Sequence, residues 1–216
     1  MISPNKIPNN IVEKLKDVVW EYPYKLIRPN YPYSADGSVE VDKNEKKPIP
    51  GVMLSVGNNA HTKNLKREDL LAKWFDIMGP EMKKWLEDNL QPYGGDIRWI
   101  RANIYGTGSS LSLHTDSMTM FKFDDIFSKE KEGDKFYLTH AITLDRSDDI
   151  EGGYTVLSDL IMLELLYRKE TNLSKTPLKV YDTQIGDCVT WDNLLLHGVS
   201  EIISGSRVTI SIDKNL

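Results

Sequence analysis

The stretch His197-Gly198-Val199-Ser200-Glu201-Ile202-Ile203-Ser204-Gly205-Ser206-Arg207-Val208-Thr209-Ile210-Ser211-Ile212 ends in a strict alternation. Arg207, Thr209 and Ser211 fall on one face of an extended strand, and Val208, Ile210 and Ile212 fall on the other. The apolar set belongs against a core. A polar face on the same strand is costly inside a sheet unless it lines a cavity or meets solvent. A planar guanidinium in such a cavity can grip a carboxylate through two parallel hydrogen bonds, and a neighbouring hydroxyl can add a third. Arg207 therefore points to an anionic ligand.

Working outward, Ile185-Gly186-Asp187-Cys188-Val189-Thr190-Trp191-Asp192-Asn193 reads as a turn into a strand running toward His197. Further upstream, Ser112-Leu113-His114-Thr115-Asp116 places Ser112, His114 and Asp116 on one face if the run stays extended. A His and an Asp two apart can address one ion, but alone the pair is a weak signal, and a surface pair is its usual meaning. His197 completes a set of two histidines and one carboxylate, the facial triad that leaves open positions for non-haem Fe(II) and oxygen. Zinc hydrolases use the same atom types, so the ligands alone leave the metal open. Arg207 tilts the balance toward an anionic cosubstrate. The run Ile97 to Tyr105 repeats the pattern, with Arg101, Asn103 and Tyr105 sharing a face.

The rest of the chain supplies the frame. Asn9 and Asn10 are good helix-capping types, and Ile11, Leu15, Val18 and Val19 recur at helical spacing until Pro23. Two more helices are expected, one carrying Leu70, Leu71, Trp74, Phe75 and Met78, the next starting at Pro80 and carrying Met82, Trp85, Leu86 and Leu90. Their aromatic and Met residues read as core. Between the first and second helices, residues 29–65 are rich in Pro, Gly, Asn and Tyr, with a weak strand signal at Gly51 to Val56; a long irregular segment suggests a lid. Past Gly94-Gly95, short β-like runs follow at Ile97 to Tyr105, Ser110 to His114, Phe136 to Leu144, Tyr154 to Leu157, Lys179 to Tyr181, Cys188 to Trp191 and Arg207 to Ile212. This texture predicts a mostly β fold with N-terminal helices (α+β), a β-sandwich or jelly roll braced by helices. One domain is expected over 1–216, with 1–92 as helical brace and lid and 93–216 as jelly-roll core. Leu160 to Tyr167 breaks the strand pattern and reads as an inserted helix packed on the barrel, with a homo-oligomer contact through 157–168 as the alternative.

Composition bounds the function. A formal charge of −5 over 216 residues argues against a surface built to neutralise phosphates, so no nucleic-acid partner is expected. The single cysteine, Cys188, excludes an intrachain disulfide framework and a Cys-rich zinc site, and fits a reducing compartment. No apolar run is long enough to span a membrane, and residues 1–10 do not read as a signal peptide; no membrane association and a cytoplasmic location are expected.

His114-Thr115-Asp116 with His197 and Arg207 at that separation resembles the Fe(II)/2-oxoglutarate-dependent oxygenases, and the C-terminal motif is similar to their prolyl-4-hydroxylase-like branch, with Ile202 replacing a valine. Glu151-Gly152-Gly153-Tyr154 resembles the acidic-Gly-Gly turn of that branch. The resemblance covers roughly residues 98–212. It implies a double-stranded β-helix (jelly roll, cupin-like), Fe(II) on His114, Asp116 and His197, and 2-oxoglutarate chelating the iron with its distal carboxylate on Arg207. Tyr105 and Thr209 would support that carboxylate, with Asn103 nearby. O2 would be the oxidant, and succinate and carbon dioxide would be released as a substrate C–H is oxidised. Halogenating relatives replace the carboxylate ligand; Asp116 is intact, so hydroxylation is preferred, although desaturation and ring closure use the same triad. The span from Tyr154 to Val180 is longer than the branch usually has.

Substrate contacts are expected from the barrel mouth, with Arg101, Trp191, Arg146 and the loop bearing Tyr31 and Tyr33 as candidates. The substrate expected is a small polar metabolite such as a free or carrier-bound amino acid, with a peptidyl prolyl-type reaction as the alternative. His61 and His140 read as structural, and Cys188 as a small buried residue. A non-catalytic ligand-binding barrel is the competing class; it requires that His114, Asp116 and His197 do not converge.

Overall fold

A computed structural model describes residues 5–22, 25–27, 48, 53–56, 67–116, 137–161 and 177–216. In chain order the elements are β1 (Asn5–Lys6), α1 (Asn9–Glu21), β2 (Lys25–Ile27), β3 (Met53–Val56), α2 (Arg67–Asn89), β4 (Ile97–Gly106), β5 (Leu111–His114), β6 (Tyr137–Arg146), β7 (Glu151–Gly152), β8 (Thr155–Ile161), β9 (Leu178–Tyr181), β10 (Asp187–Asp192), β11 (Leu195–Val199), β12 (Ile202–Ser204) and β13 (Ser206–Asn215).

The strands form a seven-stranded antiparallel sheet in the order β1-β10-β6-β13-β4-β3-β2, a four-stranded sheet β5-β11-β8-β9 and a small pair β12-β7. The alternation in β13 explains why the large sheet carries two different faces. Val208, Ile210 and Ile212, with Ile100, Ala102 and Ile104 of β4 and Ile142 and Leu144 of β6, are buried against α1 and α2. Fully burying each such side chain contributes roughly 1.5–3 kcal/mol, so this face anchors the helices. The opposite face looks toward the four-stranded sheet, and the cavity lies between them.

The helices follow the periodicity closely. Ile11, Leu15, Val18 and Val19 of α1 are buried, as are Leu70, Trp74, Met82, Leu86 and Leu90 of the second helical region. The chain breaks at Gly79 (φ 75°, ψ 164°) and Pro80 opens the next turn, so α2 is two helices meeting at a kink, as the spacing predicts. One expectation fails at the start of α1. Asn9 and Asn10 lie inside the helix and cap nothing; Pro8 precedes it, and its carbonyl accepts the N–H groups of Ile11 and Val12.

Strand boundaries differ in instructive places. β11, which bears His197 itself, is a strand of its own that follows β10 through a turn closed by Leu194 N–H donating to Asp192 Oδ1 at 3.0 Å. Its Leu-Leu-His-Gly-Val sequence carries little β signal because His and Gly interrupt it. β8 runs through Leu160 and Ile161, so the segment read as an inserted helix begins as strand; residues 162–176 lie outside the described residues, and with them most of the expected 157–168 contact. Tyr31, Tyr33, His61 and nearly all of the expected 29–65 lid lie outside them too. Among the described residues, no helix is long and apolar enough to cross a membrane.

A buried lysine ties the terminal strand to the helices. Lys214 is 0 % exposed, and its ammonium donates to the carbonyls of Glu87 at 2.6 Å, Leu90 at 2.8 Å and Leu86 at 3.4 Å. Two of these carbonyls also accept backbone N–H groups, Leu86 from Leu90 at 3.1 Å and Glu87 from Gly94 at 2.8 Å, and the cation adds to them at the negative end of the helix dipole. Lys214→Met keeps the stem and removes the charge-assisted hydrogen bonds to these carbonyls, so it is expected to cost about 1–3 kcal/mol, read from urea unfolding midpoints.

Candidate metal centre and anion pocket

β5 and β11 pair with His197 opposite His114, which sets the two imidazoles side by side with ring centroids 4.3 Å apart. The close approach depends on Gly198, where a Cβ would sit 2.6 Å from the Leu111 carbonyl oxygen. Each ring is oriented the same way: Nδ1 of His114 donates to the Ser112 carbonyl at 2.8 Å, and Nδ1 of His197 to the Leu195 carbonyl at 3.0 Å. A carbonyl only accepts, so Nδ1 carries the proton and Nε2 keeps its lone pair. Asp116, just beyond β5, brings Oδ1 to 3.8 Å from Nε2 of His114 and Oδ2 to 3.6 Å from Nε2 of His197. All three groups present ligand atoms within 4.8 Å of one another. Donors about 2.0–2.2 Å from one ion stand no more than about 4.4 Å apart, a limit that the 3.6 and 3.8 Å separations meet.

The protonation states suit a cation. Burial pushes the His197 pKa down to about 4 against the opposing pull of Asp116, so its ring is neutral at pH 7. Burial would raise the Asp116 pKa, but Arg101 above all, with both histidines, holds it below the usual carboxylate value. Arg101 Nη2 donates to Asp116 Oδ2 at 2.6 Å.

One inward position along the barrel, the chemistry changes sign. Leu111 of β5, Val199 of β11 and Thr155 of β8 make the row next to His114, His197 and Leu157. Against that row stands Arg207, 3 % exposed. Its Nη2 donates to Thr155 Oγ1 at 2.8 Å and Thr143 Oγ1 at 3.2 Å, and its Nη1 donates to the Gly153 carbonyl. That carbonyl is presented by the Glu151-Gly152-Gly153 turn, where Gly152 (φ 81°) passes so close to Glu201 that a Cβ would lie 2.1 Å from its carbonyl oxygen. Guanidinium has five N–H donors; Nε is buried with no hydrogen-bond partner, and no carboxylate lies within ion-pair distance of Arg207 among the described residues. Burial lowers its pKa to about 10, yet it stays cationic at neutral pH. A buried cation without an anion is an expensive arrangement that a bound anion would relieve.

The histidines, Asp116 and the guanidinium open onto one cavity of about 130 Å³, lined by Arg101, Asn103, Tyr105, Thr209 and Ser211 from the large sheet and by His114, His197, Val199 and Thr155 from the small one. The structure thus gathers His114, Asp116, His197, Arg207, Tyr105, Thr209 and Asn103 as the sequence predicts. Trp191 also lines the cavity, its ring 4.9 Å from that of His197. Two substrate candidates change. Arg101 is engaged by Asp116 and is not free for a ligand. Arg146, the cross-strand partner of Arg207, is not among the lining residues, and its Nη1 donates to Asp182 Oδ1 and the Thr183 carbonyl, each at 2.9 Å.

Thr143, Thr155 and Asp213 escape the sequence reading. The first two carry no signal beyond a hydroxyl on a strand, because the meeting of Thr143 with Arg207 depends on strand pairing within the large sheet and that of Thr155 on the distance between the sheets. Asp213 had one: it continues the series Arg207, Thr209, Ser211 by two residues. His140 and Cys188 are structural as expected. His140 bonds Thr190 Oγ1 at 2.9 Å and the Gln91 carbonyl at 2.6 Å, and burial pushes the Cys188 thiol up to about 12.

No family model and no curated protein sequence matches the chain. Solved structures do. An oxidoreductase of the 2OG-Fe(II) oxygenase family from Burkholderia pseudomallei superposes with a TM-score of 0.51 at 11% identity, covering 94% of this chain and 78% of that one. HygX from Streptomyces hygroscopicus, with nickel and 2-oxoglutarate bound, gives 0.52 at 14% identity, covering 100% and 82%. AviO1 from Streptomyces viridochromogenes Tue57 gives 0.53 at 13% identity, covering 99% and 87%. The fold is therefore the double-stranded β-helix of the 2OG-Fe(II) oxygenases.

Burial lowers the pKa of both His140 and His197 from 6.5 to about 4. Between those values the unfolded chain binds more protons than the folded one, so stability is present above pH 6.5 and is lost as pH falls toward 4. Urea midpoints of the metal-free protein are expected to fall over that window, and His140→Gln is expected to flatten the slope.

Proposed function

We propose that the protein is an Fe(II)- and 2-oxoglutarate-dependent dioxygenase that hydroxylates an unactivated C–H of a small polar metabolite. The observation that carries this reading is a buried guanidinium with no carboxylate partner among the described residues, opening onto the same small cavity as two histidines and an aspartate. A zinc hydrolase has no need of that second feature, and a non-catalytic barrel has no need of the first. A dicarboxylate with a chelating end satisfies both at once. The nickel and 2-oxoglutarate in the Streptomyces hygroscopicus structure are ligands of the matching chemistry.

The residues divide the work. His114 and His197 would hold the metal through Nε2, with Nδ1 of each ring fixed on a carbonyl, so neither ring can turn away; such partners also raise ligand basicity. Asp116 completes the set and leaves the remaining positions open. Arg207 would take the distal carboxylate with its unused N–H groups, steadied by Thr143, Thr155 and the Gly153 carbonyl. Tyr105, Asn103 and Thr209 offer polar atoms along the wall between the two ends. Trp191 closes the wall beside His197 and limits water. When bound, iron and the 2-oxo acid supply the oxidising chemistry, with succinate and carbon dioxide as products.

Purified protein loaded with Fe(II) is expected to release succinate, with turnover rising when the right substrate is supplied from a panel of free amino acids and peptides. Stimulation by peptides alone would replace the small metabolite with the peptidyl prolyl-type reaction. His114→Ala is expected to abolish turnover. Arg207→Gln is expected to weaken 2-oxoglutarate binding at least about 100-fold while metal affinity changes little, measured by calorimetry. Retained turnover in His114→Ala would refute the metal assignment.

A further inference from the structure

Arg101 touches two buried carboxylates, and only one of them belongs to the candidate metal centre. Its Nη2 donates to Asp116 Oδ2 at 2.6 Å, and its Nη1 lies 3.7 Å from Asp213 Oδ2. Asp213 is 1 % exposed, and its other oxygen accepts Thr139 Oγ1 at 2.9 Å. The sheet register dictates this meeting. Ser211 pairs with Arg101 across β13 and β4, and Asp213 is the next position on the same face, opposite Thr139 of β6.

The two oxygens of Asp116 are therefore unlike. Both border the histidines, Oδ2 at 3.6 Å from His197 Nε2 and Oδ1 at 3.8 Å from His114 Nε2, but Oδ2 is held by a short charge-assisted hydrogen bond, the strong kind, whereas Oδ1 accepts no hydrogen bond from the described residues. On the reading of His114, Asp116 and His197 as a metal centre, we propose that Arg101, anchored by Asp213, is a positioning residue that keeps Asp116 monodentate by engaging Oδ2 and leaving Oδ1 as the free donor. A carboxylate binding through both oxygens would occupy one more position on the ion. The monodentate form keeps open the sites that a chelating 2-oxo acid and oxygen both require.

Asp213 makes the arrangement affordable in charge. Burial disfavours the Arg101 cation, but Asp213 and then Asp116 outweigh burial and hold its pKa above the usual guanidinium value. With the centre loaded, the guanidiniums of Arg101 and Arg207 and a divalent ion are matched by Asp116, Asp213 and a dicarboxylate. Removing Asp213 would leave a buried positive excess beside the metal.

Co(II)-loaded protein tests this without turnover, because Co(II) visible absorption reports coordination geometry. Arg101→Met removes a positive charge and Asp213→Asn removes a negative one. If the residues acted only through their field, the two changes would move 2-oxoglutarate affinity for the Co(II) form in opposite directions. As a positioning pair, both are expected to weaken it, Arg101→Met by about 10- to 100-fold and Asp213→Asn by a smaller factor. Both are also expected to alter the Co(II) spectrum before 2-oxoglutarate is added, and Arg101→Lys is expected to recover part of the affinity. Opposite shifts, or spectra identical to wild type, overturn the proposal. If Arg101→Met does not fold, Asp213→Asn and Arg101→Lys carry the same comparison. Wild-type protein that binds no Co(II) overturns the metal-centre reading along with this one. Wild type that binds Co(II) and 2-oxoglutarate, with folded variants that behave identically, overturns only the role of the pair.

Discussion

Strand β13 is buried on both faces, and the rest of the molecule follows from that. Its apolar side holds α1 and α2 against the large sheet, while its polar side lines the cavity. A slip of one residue in its register with β4 and β6 would exchange the two sets, placing guanidinium and carboxylate in the helical core and isoleucines at the cavity. Such a slip is very costly, since buried charge without partners is among the largest penalties a fold can carry. Register and site are therefore specified by the same side chains.

The four-stranded sheet meets that polar face with a different device. His114 and His197 come together because β5 and β11 pair at a distance that Gly198 permits, and Arg207 is received by the carbonyl of a turn whose second residue tolerates no side chain. Backbone proximity, more than side-chain packing, sets these contacts. The buried charges are then arranged in two groups: Arg101 between Asp116 and Asp213, and Arg207 among hydroxyls and a carbonyl. The first group is balanced within the protein. The second is not, and the imbalance distinguishes a ligand site from a structural ion-pair network.

The sequence makes legible those features that depend on periodicity within one segment. The two faces of β13, the shared face of Arg101, Asn103 and Tyr105, the helical stripes and the break before Pro80 are all local patterns, and the structure keeps them. Features that depend on distance across sheets are hidden. Thr143 and Thr155 look like ordinary strand threonines until the barrel closes, and Arg146 has the same credentials as Arg101 until Asp182 and Thr183 take it. β11 is missed although it carries a metal-ligand candidate, because histidine and glycine are the residues the site needs and also the ones that weaken a strand signal. Asp213 is the exception, a local signal left unused where the alternation was taken to end at Ile212.

The two ends of the cavity also stand at different depths along the strands. On β11, His197 and Val199 are two residues apart on the inward face, so the metal row and the row that meets Arg207 are offset by about 6.8 Å of extended chain. On the proposed function, a dicarboxylate with a chelating end would meet the histidines at one end of the cavity and Arg207 at the other. Because Arg207 stands on the other sheet, its place is set by the register of β13: moving it by a two-residue step would break the row of Thr143, Thr209 and Asn103 beside it, so the register that buries the helical core also fixes the anchor.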